Sequence, residues 1–80
     1  MANVQNIVGP QVRKLRYAQD MTQAVLAARC EVLGLEMSRA TLSKIEAQLR
    51  CVTDSELRVL ADALQVGLDE LYPPKGKSGR

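Results

Sequence analysis

The strongest constraint on this chain is that its apolar residues recur at helical spacing in short blocks, each opened by a residue that starts helices. Gly9-Pro10 precedes the first block, and proline fits an opening helical turn because its missing N–H has no partner there anyway. Thr22, Ser38 and Thr53 precede the other three, and a hydroxyl at that position accepts from an N–H group that the helix itself leaves unpaired. Thr53-Asp54-Ser55-Glu56 has capping-box spacing. Val8, Val12 and Leu15 share the inner face of helix one, which is expected to end near Asp20, with Met21 turning back into the core. Leu26, Ala27 and Cys30 face inward from helix two, and Gly34 closes it. Leu42, Ile45 and Leu49 form the buried stripe of helix three, and Leu57, Leu60, Ala61 and Leu64 carry helix four to Val66-Gly67. A short fifth helix, Leu68 to Tyr72, stops at Pro73. No segment alternates as a half-buried strand does. The expectation is an all-α, compact five-helix domain over residues 7–72, after a frayed N-terminus 1–6 and before a disordered basic tail 73–80.

Eighty residues make one domain at the small end of what folds unaided, so every apolar face has to be used. The chain has no histidine, which removes the commonest general base and the commonest metal ligand. Two cysteines, Cys30 and Cys51, are too few for a Cys-only zinc site, and no Gly-rich phosphate loop is present. These absences point to a binding module without metal or cofactor and against an enzyme. Cys30, on the inner face of helix two, reads as a small apolar core residue. Cys51 lies beside Arg50 in the loop before helix four, which leaves a redox-sensing role open; a disulfide between Cys30 and Cys51 is conceivable, but in a cytoplasmic protein both are expected to stay reduced. No apolar run approaches the ~18 residues of a membrane span, and the start lacks the build of a signal peptide.

The net charge of +2 is too mild to name a partner, but its distribution is polar. Residues up to Arg50 carry a balance of +3, residues 51–72 a balance of −4, and the tail +3. A polyanion would therefore be sought on the first fifty residues, the alternative being chance clustering in a small chain. Within that half, helices two and three meet the needs of a helix-turn-helix. Ala27 is small where the two helices touch, and Leu42 and Ile45 hold helix three from one side. Arg39, Ala40, Thr41, Ser43 and Lys44 then fall on or beside its free side. Arg and Lys can donate to guanine O6 and N7, hydroxyls to either base type, and Ala can touch a thymine methyl. The bland alternative is an ordinary solvated helix face.

The stretches Ser38-Arg39-Ala40-Thr41-Leu42-Ser43-Lys44-Ile45-Glu46 and Leu60-Ala61-Asp62-Ala63-Leu64-Gln65-Val66-Gly67-Leu68-Asp69-Glu70-Leu71 strongly resemble the Xre/Cro-type helix-turn-helix regulators in combination, together with Val8-Gly9, Val12-Arg13, Leu15-Arg16, Met21-Thr22-Gln23 and Leu26-Ala27. The resemblance runs from Val8 to Tyr72. It implies base-reading roles for Arg39, Ala40 and Lys44, with Thr41 and Ser43 beside them. It implies phosphate contacts from Thr22 and Gln23 at the start of helix two, from Ser38, and from Gln48 and Arg50 past helix three. Arg16 and Glu46 match a largely buried ion pair that orients the recognition helix, the alternative for Arg16 being an unpaired phosphate contact. Two departures stand out. Fifteen positions separate Ala27 from Leu42, five more than in the family's usual form. A helix two longer by about a turn, then a looser link anchored by Leu33, Leu35 and Met37, would absorb them. Ala47-Gln48 also replaces the family's frequent glycine, so Gln48 is expected to need a left-handed backbone.

The resemblance implies a cytoplasmic, bacterial or phage regulator that binds double-stranded DNA as a homodimer, with no small-molecule effector domain after Tyr72 and no membrane contact. The alternative of a different class is a protein-interaction module such as an antitoxin. An inhibitory segment of that kind needs apolar anchors, and Pro73 to Arg80 has none.

Overall fold

Each expected hydroxyl cap is formed in the computed structural model, which describes residues 4–74. The helices are α1 (Gly9–Ala18), α2 (Gln23–Val32), α3 (Arg39–Glu46) and α4 (Asp54–Leu64), followed by a 3₁₀ turn, Leu68–Leu71. The fifth helical element is thus present, in its tighter form. Thr22 Oγ1 accepts from Val25 N at 3.1 Å, and Ser38 Oγ accepts from Thr41 N at 3.1 Å. Thr53 Oγ1 accepts from Glu56 N at 3.2 Å while Glu56 Oε1 accepts from Thr53 N at 3.0 Å, which completes the capping box.

The helix ends share one device. In the Schellman pattern the two N–H groups after a helix turn back onto its last carbonyls, with one residue in the left-handed region. After α1, Asp20 N donates to Tyr17 O and Met21 N to Arg16 O. After α2, Gly34 N donates to Glu31 O and Leu35 N to Cys30 O. After α3, Gln48 N donates to Ile45 O and Leu49 N to Lys44 O; after α4, Gln65 N donates to Asp62 O and Val66 N to Ala61 O. The left-handed residues are Asp20, Gly34, Gln48 and Gln65, with φ of 54°, 94°, 64° and 58°. Only Gly34 adopts this conformation without steric cost. The left-handed backbone expected at Gln48 is present.

Three packing expectations change. Leu49 is 68% exposed, not part of the α3 stripe, because the helix stops at Glu46 and the left-handed Gln48 swings the chain outward. Leu33, at the end of α2, is 48% exposed and gives the link no anchorage; the buried Met37 and the half-buried Leu35 supply it. Gln5 and Asn6 are not frayed, since both are bonded to the end of α3. Gln5 N donates to Gln48 O at 3.1 Å. The Asn6 amide donates to Ile45 O at 3.1 Å and to Arg50 O at 2.8 Å, while Asn6 Oδ1 accepts from Gly9 N at 2.7 Å. One side chain therefore caps the start of α1 and the end of α3. Residues 1–3 of the expected N-terminal stretch, and 75–80 of the expected tail, lie outside the described residues.

The core gathers Val12, Leu26, Leu42, Ile45, Leu60 and Leu64, all fully buried, where α3 packs on α1 and α2, and α4 on α2 and the 3₁₀ turn. Buried Ala27 lies on the inner face of α2. Cys30 is buried as expected, and burial pushes its thiol up to about 11, so it is uncharged at neutral pH. Cys51 is exposed, and both cysteines are free thiols. Among the described residues no helix is long and apolar enough to cross a membrane.

Gly9 has a specific reason to be glycine: a Cβ there would run into the backbone carbonyls of Ile45 and Glu46. Gly9→Ala is therefore expected to destabilise by about 1–3 kcal/mol, against the usual gain from removing a helical glycine. Gln65→Gly should stabilise by roughly 0.5–1 kcal/mol, because it relieves a left-handed side-chain-bearing residue at an exposed site. Urea denaturation of the two variants checks both signs. Equal or opposite effects would place the α1–α3 contact or the α4 terminus elsewhere.

Candidate nucleic-acid interface

α3 has one face for the protein and one for solvent. Leu42 and Ile45 are fully buried, while Arg39, Ala40, Ser43 and Lys44 are exposed and Thr41 is half-buried. The Thr41 hydroxyl accepts from Ser38 Oγ at 3.0 Å, so these two side chains tie the first turn together. All five residues expected to read bases are thus on or beside the solvent face.

The C-terminal end of the same helix is fixed by charge. Glu46 accepts from Arg16 Nε at 2.7 Å and Arg16 Nη2 at 3.0 Å, with the two side chains 6% and 4% exposed. Gln23 Nε2 donates to the same carboxylate at 3.1 Å, and Arg16 Nη1 donates to Met21 O at 2.8 Å. The bond to Glu46 raises the Arg16 pKa, with burial acting in the opposite direction. Arg16 is therefore the ion-pair partner and not a free phosphate contact. Gln23 stands at the first position of α2, so the network joins α1, the turn after it, α2 and α3.

Tyr17 covers this pair from outside. Its ring centroid lies 4.6 Å from the Arg16 guanidinium carbon and 5.4 Å from that of Arg13. Arg13 Nη2 also donates to Tyr17 Oη at 3.4 Å. The Arg13 bond, then the neighbouring Arg16 guanidinium, hold the phenol below its ordinary pKa. A cleft of about 690 Å³ opens beside these groups, lined by Arg13 and Tyr17 of α1, by Thr22 and Gln23 at the start of α2, and by Arg39 and Ser43 of α3. Its carboxylate, Glu46, is already neutralised by Arg16. The first two N–H groups of α2 have no intrahelical partner, and they add positive potential at that end.

The expected phosphate contacts divide into two groups. Thr22 and Gln23 line the cleft, although Thr22 Oγ1 caps α2 and the Gln23 amide is bonded to Glu46. Ser38 caps α3 at the beginning of its solvent face. Gln48 and Arg50 lie beyond the other end of α3 and are bonded within the protein. The Gln48 amide donates to Asn6 O at 3.0 Å, and Arg50 makes a two-pronged pair with Glu56 at 3.0 Å per contact. That pair raises the Arg50 pKa and holds the Glu56 carboxyl below its usual range. Among the described residues the ion pairs are Arg16–Glu46 and Arg50–Glu56, so Arg13, Arg39 and Lys44 carry uncompensated charge. The same residues offer no metal-binding cluster of Cys, Asp and Glu. Asn6, Arg13 and Tyr17 were not among the expected site residues, although the i, i+4 spacing of Arg13 and Tyr17 marks them as neighbours.

Residues 12–71 match the family model described as helix-turn-helix. The restriction-modification controller protein C.AhdI from Aeromonas hydrophila is 28% identical over 81% of this chain and 87% of its own, with a TM-score of 0.73. A hypothetical transcription factor, NHTF, from Neisseria is 21% identical, with a TM-score of 0.77 over 95% of this chain and 82% of its own. The DNA-binding domain of BldD is 24% identical, with a TM-score of 0.72 over 91% of this chain and all of its own. No curated protein sequence matches.

The buried pair makes a sharp energetic expectation. Arg16→Met strands the Glu46 carboxylate in a dry site, and breaking such a pair from one side costs about 3–5 kcal/mol. Arg16→Met combined with Glu46→Leu leaves no orphaned charge and should recover much of that loss. Denaturation of both single variants and the double variant gives the coupling energy. Additive losses without rescue would show that the two side chains do not meet.

Proposed function

This chain belongs to the Xre-type helix-turn-helix family, and we propose that it is a transcriptional regulator that binds double-stranded DNA sequence-specifically, with α3 in the major groove. The observation that carries this reading is the solvent face of α3: Arg39, Ala40, Ser43 and Lys44 exposed on a helix whose back is buried by Leu42 and Ile45 and whose end is clamped by Arg16. A side chain that reads a base edge works only if its helix cannot roll, and this helix is held along its buried face by Leu42 and Ile45 and at its end by Arg16. Arg39 and Lys44 supply donors for guanine, Ser43 and Thr41 hydroxyls, and Ala40 a methyl contact for thymine. The N–H groups and hydroxyls at the starts of α2 and α3, with Thr22, Gln23 and Ser38, take phosphates. Gln48 and Arg50 grip the backbone further on, where a phosphate competes with Glu56 for the Arg50 guanidinium. C.AhdI, a controller protein, supports a regulatory reading. One reading head spans only about four to five base pairs, so the protein acts as a homodimer on a paired site, without catalysis and without a cofactor.

Selection of bound fragments from random duplexes, followed by titration across salt, tests this. Affinity should fall with a log–log slope of about −0.9 per phosphate neutralised. Arg39→Ala or Lys44→Ala should cost about 1–3 kcal/mol on the selected site and relax one base position, whereas Arg50→Ala should weaken all duplexes equally. Absence of binding to any duplex at low salt would turn the reading toward a protein-interaction module.

A further inference from the structure

We propose that Arg13 and Tyr17 of α1 form a phosphate seat of their own, which takes the DNA phosphate next to the one held at the start of α2. The inference rests on the DNA-binding reading and extends it to a wall of the cleft that the reading face does not include.

Four observations converge on these two side chains. Arg13 belongs to neither ion pair of the described residues, and its bond to Tyr17 Oη, at 3.4 Å, engages one of the five N–H donors of a guanidinium. Tyr17 is 57% exposed, an unusual position for one of only two aromatic residues in a chain this short of core. Two guanidinium groups lie over the Tyr17 ring, at 4.6 and 5.4 Å from its centroid, so Arg13 and Tyr17 are held in place before any ligand arrives. Pre-ordering matters here because a free arginine loses much rotamer entropy on binding, and the stacked one has already lost part of it. Finally, both line the cleft whose other walls are Thr22, Gln23, Arg39 and Ser43, and whose carboxylate is neutralised from within.

The chemistry suits a phosphate diester. Tyr17 accepts from Arg13 with an oxygen lone pair, which leaves the phenolic O–H to donate. Arg13 and Tyr17 thus present several donors from adjacent turns of one helix toward a single anionic group. Arg16 cannot serve in their place, since it is buried and Glu46 and Met21 O take three of its five donors. It acts behind the seat, as the cation that holds the Tyr17 ring.

The test uses the full chain and its selected duplex. Arg13→Gln should weaken binding about tenfold at 0.1 M salt and flatten the salt slope by about one phosphate, with base preference unchanged. Tyr17→Phe, which keeps the ring and removes the donor, should weaken it severalfold with the same base preference. Urea denaturation of both variants, matched to the parent, excludes loss of fold as the cause. Ethylation of single phosphates then locates the seat. The parent should lose affinity at a phosphate adjacent to that contacted by α2, and Arg13→Gln should be indifferent to ethylation there. An unchanged salt slope and ethylation pattern in Arg13→Gln, with the parent still binding, would overturn the seat and leave the DNA-binding reading standing. A parent that binds no duplex would overturn both.

Discussion

The arrangement of this domain depends on one buried ion pair. Arg16 reaches from α1 to Glu46 at the end of α3, and the same carboxylate takes the amide of Gln23 from α2. Two charges this far from water gain little net stability, because desolvation offsets most of their attraction. They restrict geometry instead. An apolar contact between α1 and α3 tolerates sliding and rolling, whereas a forked arginine–carboxylate contact has one good register. The ring of Tyr17 lies against the Arg16 guanidinium, and Arg16 also satisfies the carbonyl of Met21 just after α1. Asn6 repeats the tie from the neighbouring turn by bonding the end of α3 while capping the start of α1. Between the two ties lies Gly9, where backbone meets backbone.

Helix starts were legible in the sequence because a capping hydroxyl is a side-chain signal, and Thr22, Ser38 and Thr53 all act as caps. Helix ends were less so. The Schellman turn is a backbone device: of its four left-handed residues here, Asp20 and Gln65 carry no local signal, and Gln48 is marked only by the glycine that the resemblance puts in its place. That is why Leu49 was assigned to a stripe that ends one turn earlier, and why Leu33 was credited with anchorage that Met37 provides. Asn6 is less legible for a related reason: its partners Ile45 and Arg50 lie some forty residues away, and its one local partner, Gly9 N, opens a helix whose start Gly9-Pro10 already marks.

The candidate interface was legible to a similar degree. Periodicity alone puts Arg39, Ala40, Ser43 and Lys44 opposite Leu42 and Ile45, so the solvent face of α3 needed no structure. The pairing of Arg16 with Glu46 came only through resemblance, since thirty residues separate them and many charges could have served. Arg50 shows the converse. Its basic charge and position past α3 suggested an open phosphate contact, yet it stands in a two-pronged bond to Glu56, the residue that also completes the α4 capping box. Sequence spacing can place a charge near a surface, but its availability depends on what folds beside it.

The extended link between α2 and α3 has a consequence for how such a domain can vary. In a tight helix-turn-helix, the turn itself dictates the angle at which the second helix leaves. Here Gly34 ends α2 in open space, Met37 drops into the core, and the Ser38 cap begins α3 afresh. The helix takes its orientation from its far end, at Glu46, rather than from the connection that leads into it. It behaves like a beam clamped downstream: residues can be gained beside Glu36, between the anchors Leu35 and Met37, at small closure cost while the solvent-facing row from Arg39 to Lys44 keeps its aim.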